Sequence, residues 1–418
     1  MATSDQEPDR ERNHKRDPDQ ESGHGRVRVL IVDDSALMRR LLSDLLTSTP
    51  EIEIAGFARN GREAVLQAVR LKPDVITLDV EMPEVSGLDA LPTLLAVQEA
   101  PVIMVSALTQ EGAGVTLQAL ELGAIDFLPK PERNQLAEMR ANRDLLVAKV
   151  LGAVQSRSRR SPRPSSRPSA TNATPSPQTS GSSRAVRAPS CPRVQPPGSA
   201  IPRSLLASAQ NTLCIVIGIS TGGPQALSQV FPLLTPPLPP ILVAQHMPAQ
   251  FTDVFAQRLD RYSTLTVKQA EEGTPVLPSH VLIAPGGRHM ALVGHPPRVR
   301  IALSDELPVS GHRPSIDVLF RSAATVYQSA VLGLIMTGMG RDGVEGCKAI
   351  LAAGGLALGQ DEATSAVYGM NKAAMLEGAV KAQFPLEELP DILQNIAAMR
   401  SDLEASRPSD QQTESRDS

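Results

Sequence analysis

Residues 214–227 read CIVIGISTGGPQAL. An apolar run ends in a glycine-rich turn carrying a lone serine, Ser220, and a helix-compatible segment follows. A strand with no polar alternation is buried on both faces, and a helix entered directly from it is the repeating unit of a parallel sheet. GISTG at 218–222 also satisfies G-x-S-x-G, the pattern that lifts a nucleophile onto a sharp strand-to-helix turn. The same glycines and helix N-terminus would cradle a phosphate equally well. Taken alone, the loop leaves both readings open.

Outward from this stretch the pattern repeats. PILVAQHM, LTVKQA, HVLIAPGG, VRIALS, AVLGLIMTG and GLALGQ are strand candidates, with helical segments such as PSIDVLFRSAATVYQSA between them. Upstream, VRVLIVDD, EIEIAGFA, DVITLDV, PVIMVSA and AIDFLPK alternate with SALMRRLLSDLLTSTP and GREAVLQAVRLK. Both blocks read as α/β, each a doubly wound parallel sheet. Between them, about 156–205 is rich in Ser, Pro and Arg and has no acidic residue. Such a segment cannot bury enough surface to offset its ordering entropy, so it reads as a linker. The expected division is a disordered tail over 1–25, a first domain over 26–148, a linker over 149–207, a second domain over 208–400 and a polar tail over 401–418.

Composition excludes several classes of function. Of 418 residues, 41% are apolar and 21% charged, enough for two packed cores. No apolar run nears the roughly 20 residues that span a bilayer, and the charged N-terminus has no signal-like apolar segment. The three cysteines (191, 214 and 347) lack paired spacing and suit a reducing compartment, so a cytoplasmic location is expected. The net charge of −4 selects no partner, and neither nucleic-acid binding nor membrane insertion is expected.

In the first block, Asp33 and Asp34 close one strand and Asp79 another. Carboxylates at the carboxyl ends of parallel strands sit where open α/β sheets bind ligands, and three together call for a hard cation such as Mg²⁺. Ser106 and Lys130 end two further strands, where a hydroxyl and an ammonium can hold phosphoryl oxygens on Asp79. The ordered set resembles the receiver domain of two-component response regulators. That resemblance implies a flavodoxin-like fold in which Asp79 accepts phosphate from a histidine kinase and Asp33, Asp34 and Asp79 bind Mg²⁺. It also implies that Ser106, Phe127 and Lys130 read the phosphoryl group, and that the peptide bond following Lys130 is cis.

A serine needs a base, and the base an orienting acid. The block holds His246, His280, His289, His295 and His312; His246 closes PILVAQ, whereas His289 and His312 lie in loops and are weaker candidates for the base that could line a substrate cleft. Asp342 follows a strand through the turn MTGMGRDG; Asp361 and Glu362 are reserves, and Asp317 fits a helix start, where charge complements the dipole. The order Ser–His–Asp differs from the Ser–Asp–His of α/β-hydrolases. The second block is similar to the chemotaxis-type protein-glutamate methylesterases over nearly all of 210–395, through GISTGGPQAL, QHMPAQFTDVFAQRL, IAPGGRHM, HRPSIDVLFRSAA, MTGMGRDG and GQDEATSAVYGM. The resemblance implies a Rossmann-like esterase domain with catalytic Ser220, His246 and Asp342, with Met339 supplying an oxyanion N–H and Thr221 arranging the site. No cofactor is implied for the ester chemistry.

The implied partners are methyl-accepting chemotaxis receptors as substrate and a chemotaxis histidine kinase as phosphodonor, acting on a monomer. Glutamine deamidation is a further activity of some family members. Departures are Asn371, where proline is more usual, a variable Arg341 and a longer linker. The alternative, a response regulator with a non-catalytic nucleotide-binding output, lacks a ribose-binding acid: none occurs between 211 and 252. A DNA-binding output would need a basic helix-turn-helix, which the glycine-rich α/β pattern does not provide.

Overall fold

Strand order decides where ligands sit, and here it gives two switch points. The computed structural model describes residues 25–107, 109–130, 143–160 and 201–405. The first domain alternates β1 (Val27–Val32), α1 (Ala36–Leu46), β2 (Ile52–Ala58), α2 (Gly61–Leu71), β3 (Val75–Asp79), α3 (Gly87–Val97), β4 (Val102–Ala107), α4 (Gln110–Glu121) and β5 (Asp126–Lys130). All five strands are parallel, in the order β2-β1-β3-β4-β5. Residues 29–32 and all of β3 are buried, which is why 29–32 reads as an unbroken apolar run and β3 as one interrupted only by Thr77 before its closing Asp79. Four helices start on side-chain caps, from Ser35, Asn60, Ser86 and Thr109, each typically worth about 1 kcal/mol.

Helix α5 (Arg143–Arg160) continues past residue 148 and packs Leu146, Val150 and Ala153 into the first domain. The first turns of the segment read as linker are therefore helical, because VAKVLGAV supplies an apolar face before the arginines begin. The tail over 1–24, Pro131 after Lys130, and Cys191 with linker residues 161–200 lie outside the described residues.

The second domain opens with α6 (Arg203–Ser208), followed by β6 (Cys214–Ile219), α7 (Gly223–Val230), β7 (Ile241–Gln245), α8 (Ala249–Tyr262), β8 (Thr266–Gln269) and β9 (His280–Ile283). Next come β10 (His289–Val293), β11 (Arg300–Ser304), α9 (Ile316–Tyr327), β12 (Val331–Ile335), α10 (Val344–Ala352), β13 (Leu356–Gln360), α11 (Met370–Leu376), β14 (Ala382–Phe384) and α12 (Leu389–Ala405). Seven strands form one parallel sheet in the order β14-β13-β12-β6-β7-β9-β8. VRIALS is not part of it: β11 pairs antiparallel with β10 as a separate hairpin, fitting a strand that is not buried on both faces. Among the described residues no helix is long and apolar enough to cross a membrane.

The two domains pack together. Phe127 of β5 lies against Phe251 of α8, with ring centroids 4.3 Å apart, and Arg258 of α8 pairs with Glu121 of α4. The aromatic pair adds about 0.5–1.5 kcal/mol beyond its buried area. A partly exposed ion pair adds about 0–1 kcal/mol.

Candidate functional site

In the large sheet β6 is flanked by β7 on one side and β12 on the other, so the carboxyl edge between them is a switch point. Three loops leave that edge: Ser220 follows β6, His246 follows β7, and Met339 and Asp342 follow β12. The nucleophile turn needs its glycines. Gly222 adopts φ +78°, and a Cβ on Gly218 would collide with Ile316 of α9. The backbone N–H of Ser220 donates to the carbonyl of Thr337 (2.9 Å), fixing the turn against the β12 loop.

Asp342 is fully buried and accepts four hydrogen bonds. Its Oδ1 takes Ser315 Oγ–H (2.8 Å) and the Asp317 N–H (3.1 Å); its Oδ2 takes the Ile316 N–H (2.8 Å) and His246 Nε2–H (2.9 Å). Burial pushes a carboxyl up, but His246 and the two amides outweigh it and hold Asp342 below the usual carboxylate range. A carboxylate only accepts, so the proton between it and His246 sits on Nε2. His246 Nδ1 is left as the lone-pair nitrogen, buried without a hydrogen-bond partner, so no bond joins it to Ser220 Oγ in this state.

Three residues have roles that the sequence reading did not assign them. Asp317 does more than complement its own helix: its carboxylate accepts the N–H groups of Gly343 (3.0 Å) and Gly346 (2.7 Å), holding the turn that carries Asp342. Gln245 Nε2 donates to the carbonyls of Ser220 (3.0 Å) and His246 (3.2 Å), tying two of the loops together. His289 is a buried strut, accepting from Ser315 N–H at Nδ1 (3.2 Å) and donating from Nε2 to the Leu307 carbonyl (3.1 Å). In the sequence Asp317 reads as a helix start and His289 as a loop histidine, and Gln245 shows only that it abuts His246.

The first domain covers this edge. Thr221 Oγ–H donates to Asp126 of β5 at 2.5 Å, and Asp126 also pairs with Lys149 of α5 at 2.6 Å, whose ammonium lies over the Phe127 ring. In this state the Thr221 side chain serves the domain contact. Gly152 of α5 faces Val367 and Met339, so a larger side chain there meets the turn expected to supply the oxyanion N–H. Replacing it with leucine should overpack this contact by about 1–3 kcal/mol. Gly152→Leu is accordingly expected to loosen this contact and speed labelling of Ser220 by a fluorophosphonate about 5- to 100-fold.

At the other sheet, β1 is flanked by β2 and β3, and the edge between β1 and β3 opens a cleft of about 720 Å³. Asp33, Asp34 and Asp79 bring carboxylate oxygens within 4.8 Å of one another, a set of hard donors that fits Mg²⁺. Lys130 Nζ pairs with Asp79 (2.6 Å) and Asp33 (2.9 Å). Burial pushes the Asp79 carboxyl up to about 6 despite that ammonium. Burial opposes the charge on Lys130 as well, yet Asp79 and Asp33 hold it above the usual lysine range. Ser106 is buried, its hydroxyl donating to the Gly112 carbonyl (3.3 Å), and Phe127 is buried toward the second domain.

Comparison with known proteins assigns each of the two domains to a family. Residues 29–141 match the family described as response regulator receiver domain, and residues 215–393 match CheB methylesterase. A Pyrococcus abyssi protein named protein-glutamate methylesterase/protein-glutamine glutaminase is 41% identical over 88% of this chain and 92% of its own length. A protein of the same name from Symbiobacterium thermophilum is 41% identical over 88% of this chain and 96% of its own. The crystal structure of the Thermotoga maritima CheB methylesterase catalytic domain is 38% identical, covering 44% of this chain and 98% of that one, with a TM-score of 0.43.

Proposed function

The chain belongs to the CheB methylesterase family, its catalytic domain joined to a response-regulator receiver, and from that premise we propose that Ser220, His246 and Asp342 hydrolyse glutamate 5-O-methyl esters on methyl-accepting chemotaxis receptors. The observation that carries the assignment is the 2.9 Å contact between His246 and an Asp342 held by three further hydrogen bonds, at the sheet edge that also bears Ser220. His246 Nδ1 takes the Ser220 proton as its Oγ attacks the ester carbonyl; Asp342 stabilises the imidazolium. The tetrahedral oxyanion is bound by backbone N–H groups of the nucleophile turn and of Met339. The imidazolium then protonates the departing methoxide, and methanol leaves. Water, deprotonated at the same nitrogen, cleaves the acyl-serine and restores glutamate. A glutamine side chain presents the same carbonyl, with ammonia leaving after protonation by the imidazolium, so deamidation uses the same groups.

Asp33, Asp34 and Asp79 would hold Mg²⁺, whose charge offsets the carboxylates and an incoming phosphoryl group. Asp79 accepts phosphate from a chemotaxis histidine kinase in the cytoplasm, and Lys130 and Ser106 hold the phosphoryl oxygens. Occlusion of the esterase edge by the receiver is supported by the contacts of Asp126 with Thr221, beside the nucleophile, and of Phe127 with Phe251. Phosphorylation weakens that docking, while the long linker keeps the two domains tethered.

The experiment is methanol release from methylated receptor by the full-length protein, with and without a small-molecule phosphodonor and Mg²⁺. Phosphodonor should raise the rate about 5- to 150-fold, the usual span of coupling between sites. Asp79→Asn should keep the basal rate and lose the rise. A rise that survives this substitution removes Asp79 from the switch.

A further inference from the structure

We propose that His312 is a positioning residue for the esterase reaction, its ring stacked on His246 so that the catalytic imidazole keeps one plane while it exchanges protons. The proposal deepens the reading of His246 as the base and rests on it. The two rings lie face to face, with centroids 3.8 Å apart and planes 6° from parallel. Geometry shows why a stack is needed. The single hydrogen bond from Nε2 to Asp342 fixes one atom of the His246 ring and leaves rotation about that line open, and histidine χ2 is intrinsically soft. Nδ1, on the far side of the ring, makes no bond that would restrain it. A flat partner on one face removes this freedom without occupying either nitrogen.

His312 is itself held. Reciprocal backbone hydrogen bonds between Val309 and His312 (3.1 and 2.9 Å) close a tight turn in which Ser310 and Gly311 take left-handed φ of 53° and 79°. Three residues later Ser315 grips Asp342, and the N–H groups of Ile316 and Asp317 follow. The stretch HRPSID therefore fixes the base through its first residue and the acid through its last three.

The chemistry of the pair also favours one base. The charged or titratable groups facing His312 are His246, Asp342 and Lys149; burial first, then His246 and Lys149, push the His312 ring down to about 4. Near neutral pH it is uncharged. The imidazolium formed on His246 thus stacks on a neutral ring, and no second cation opposes proton transfer from Ser220.

The test uses phosphodonor-activated full-length protein and compares His312→Phe, which keeps a flat ring, with His312→Leu, which keeps bulk but not planarity. His312→Phe should hold kcat within about threefold of wild type, whereas His312→Leu loses about 10²-fold with KM nearly unchanged. Labelling of Ser220 by a fluorophosphonate should slow in parallel. Thermal unfolding checks both variants, and His312→Asn supplies the unstacked arm should His312→Leu not fold. Wild-type kcat in the unstacked variant, or an equal loss in His312→Phe, overturns the proposal. The underlying assignment fails separately: Ser220→Ala that still releases methanol removes the nucleophile, whatever the His312 variants do.

Discussion

Ser220→Ala in the phosphodonor-activated protein is expected to release methanol from methylated receptor about 10⁴- to 10⁶-fold more slowly than wild type. The size follows from covalent catalysis: without Oγ there is no acyl-enzyme, and only the oxyanion donors and substrate binding remain to speed direct attack by water. The loss belongs to chemistry rather than folding. Ser220 meets its surroundings through its backbone N–H on Thr337, its carbonyl under Gly223 N–H and Gln245 Nε2, and its Cβ, which a Cβ on Gly338 would crowd; alanine keeps all three. Stability should stay within about 0.5 kcal/mol of wild type by denaturant unfolding. Receptor binding should be unchanged, so the loss falls in kcat. A variant that retains more than about one hundredth of the wild-type rate rules out Ser220 as the attacking group.

How far the lettering reaches depends on the distance over which a residue acts. Strands buried on both faces announce themselves, because β6 and β12 are apolar or glycine throughout, and β3 and β7 are nearly so, broken only by the buried Thr77, Asp79 and Gln245. In a parallel sheet all carboxyl ends share one edge, so Asp33 and Asp79, or Ser220, His246 and Asp342, can be assigned to common rims without coordinates. What periodicity does not carry is which side chains converge across loops. Asp317 is a plain first-turn acid in sequence, yet its carboxylate reaches across to two amides of the Asp342 turn. His312 and His289 look alike as loop histidines, and folding sends one to stack on the base and the other to brace Ser315. Thr221 and Asp126 are 95 residues apart and meet only because the domains dock. VRIALS reads as a strand of the large sheet but pairs with β10 outside it for a related reason, since a strand's apolar content does not name its partner.

Asp342→Asn is expected to lower kcat about 10⁴-fold while leaving the ratio of phosphorylated to basal activity intact. The native carboxylate accepts from all four of its partners, and an amide can accept at only one of its two positions. If the amide nitrogen replaces Oδ2, it faces two donors, the Ile316 N–H and His246 Nε2–H. His246 then gains by carrying its proton on Nδ1, the wrong nitrogen for accepting one from Ser220. If the nitrogen replaces Oδ1 it faces the Asp317 N–H, and the imidazolium still loses its counter-charge. Either orientation leaves a buried donor unpaired, at about 1–3 kcal/mol. Fluorophosphonate labelling of Ser220 should slow along with kcat, which separates lost activation from lost receptor binding. Stability against pH gives a second, independent reading. The Asp342 carboxyl is depressed in the folded protein, so its stabilising contribution is complete above the unfolded value near 4 and is lost as pH falls through it toward the folded one. Wild type should therefore lose more stability below pH about 4 than Asp342→Asn does, with the two denaturant midpoints converging in acid. Equal acid sensitivity of the two proteins would mean that the carboxylate is not held in its charged form by His246 and the amides around it.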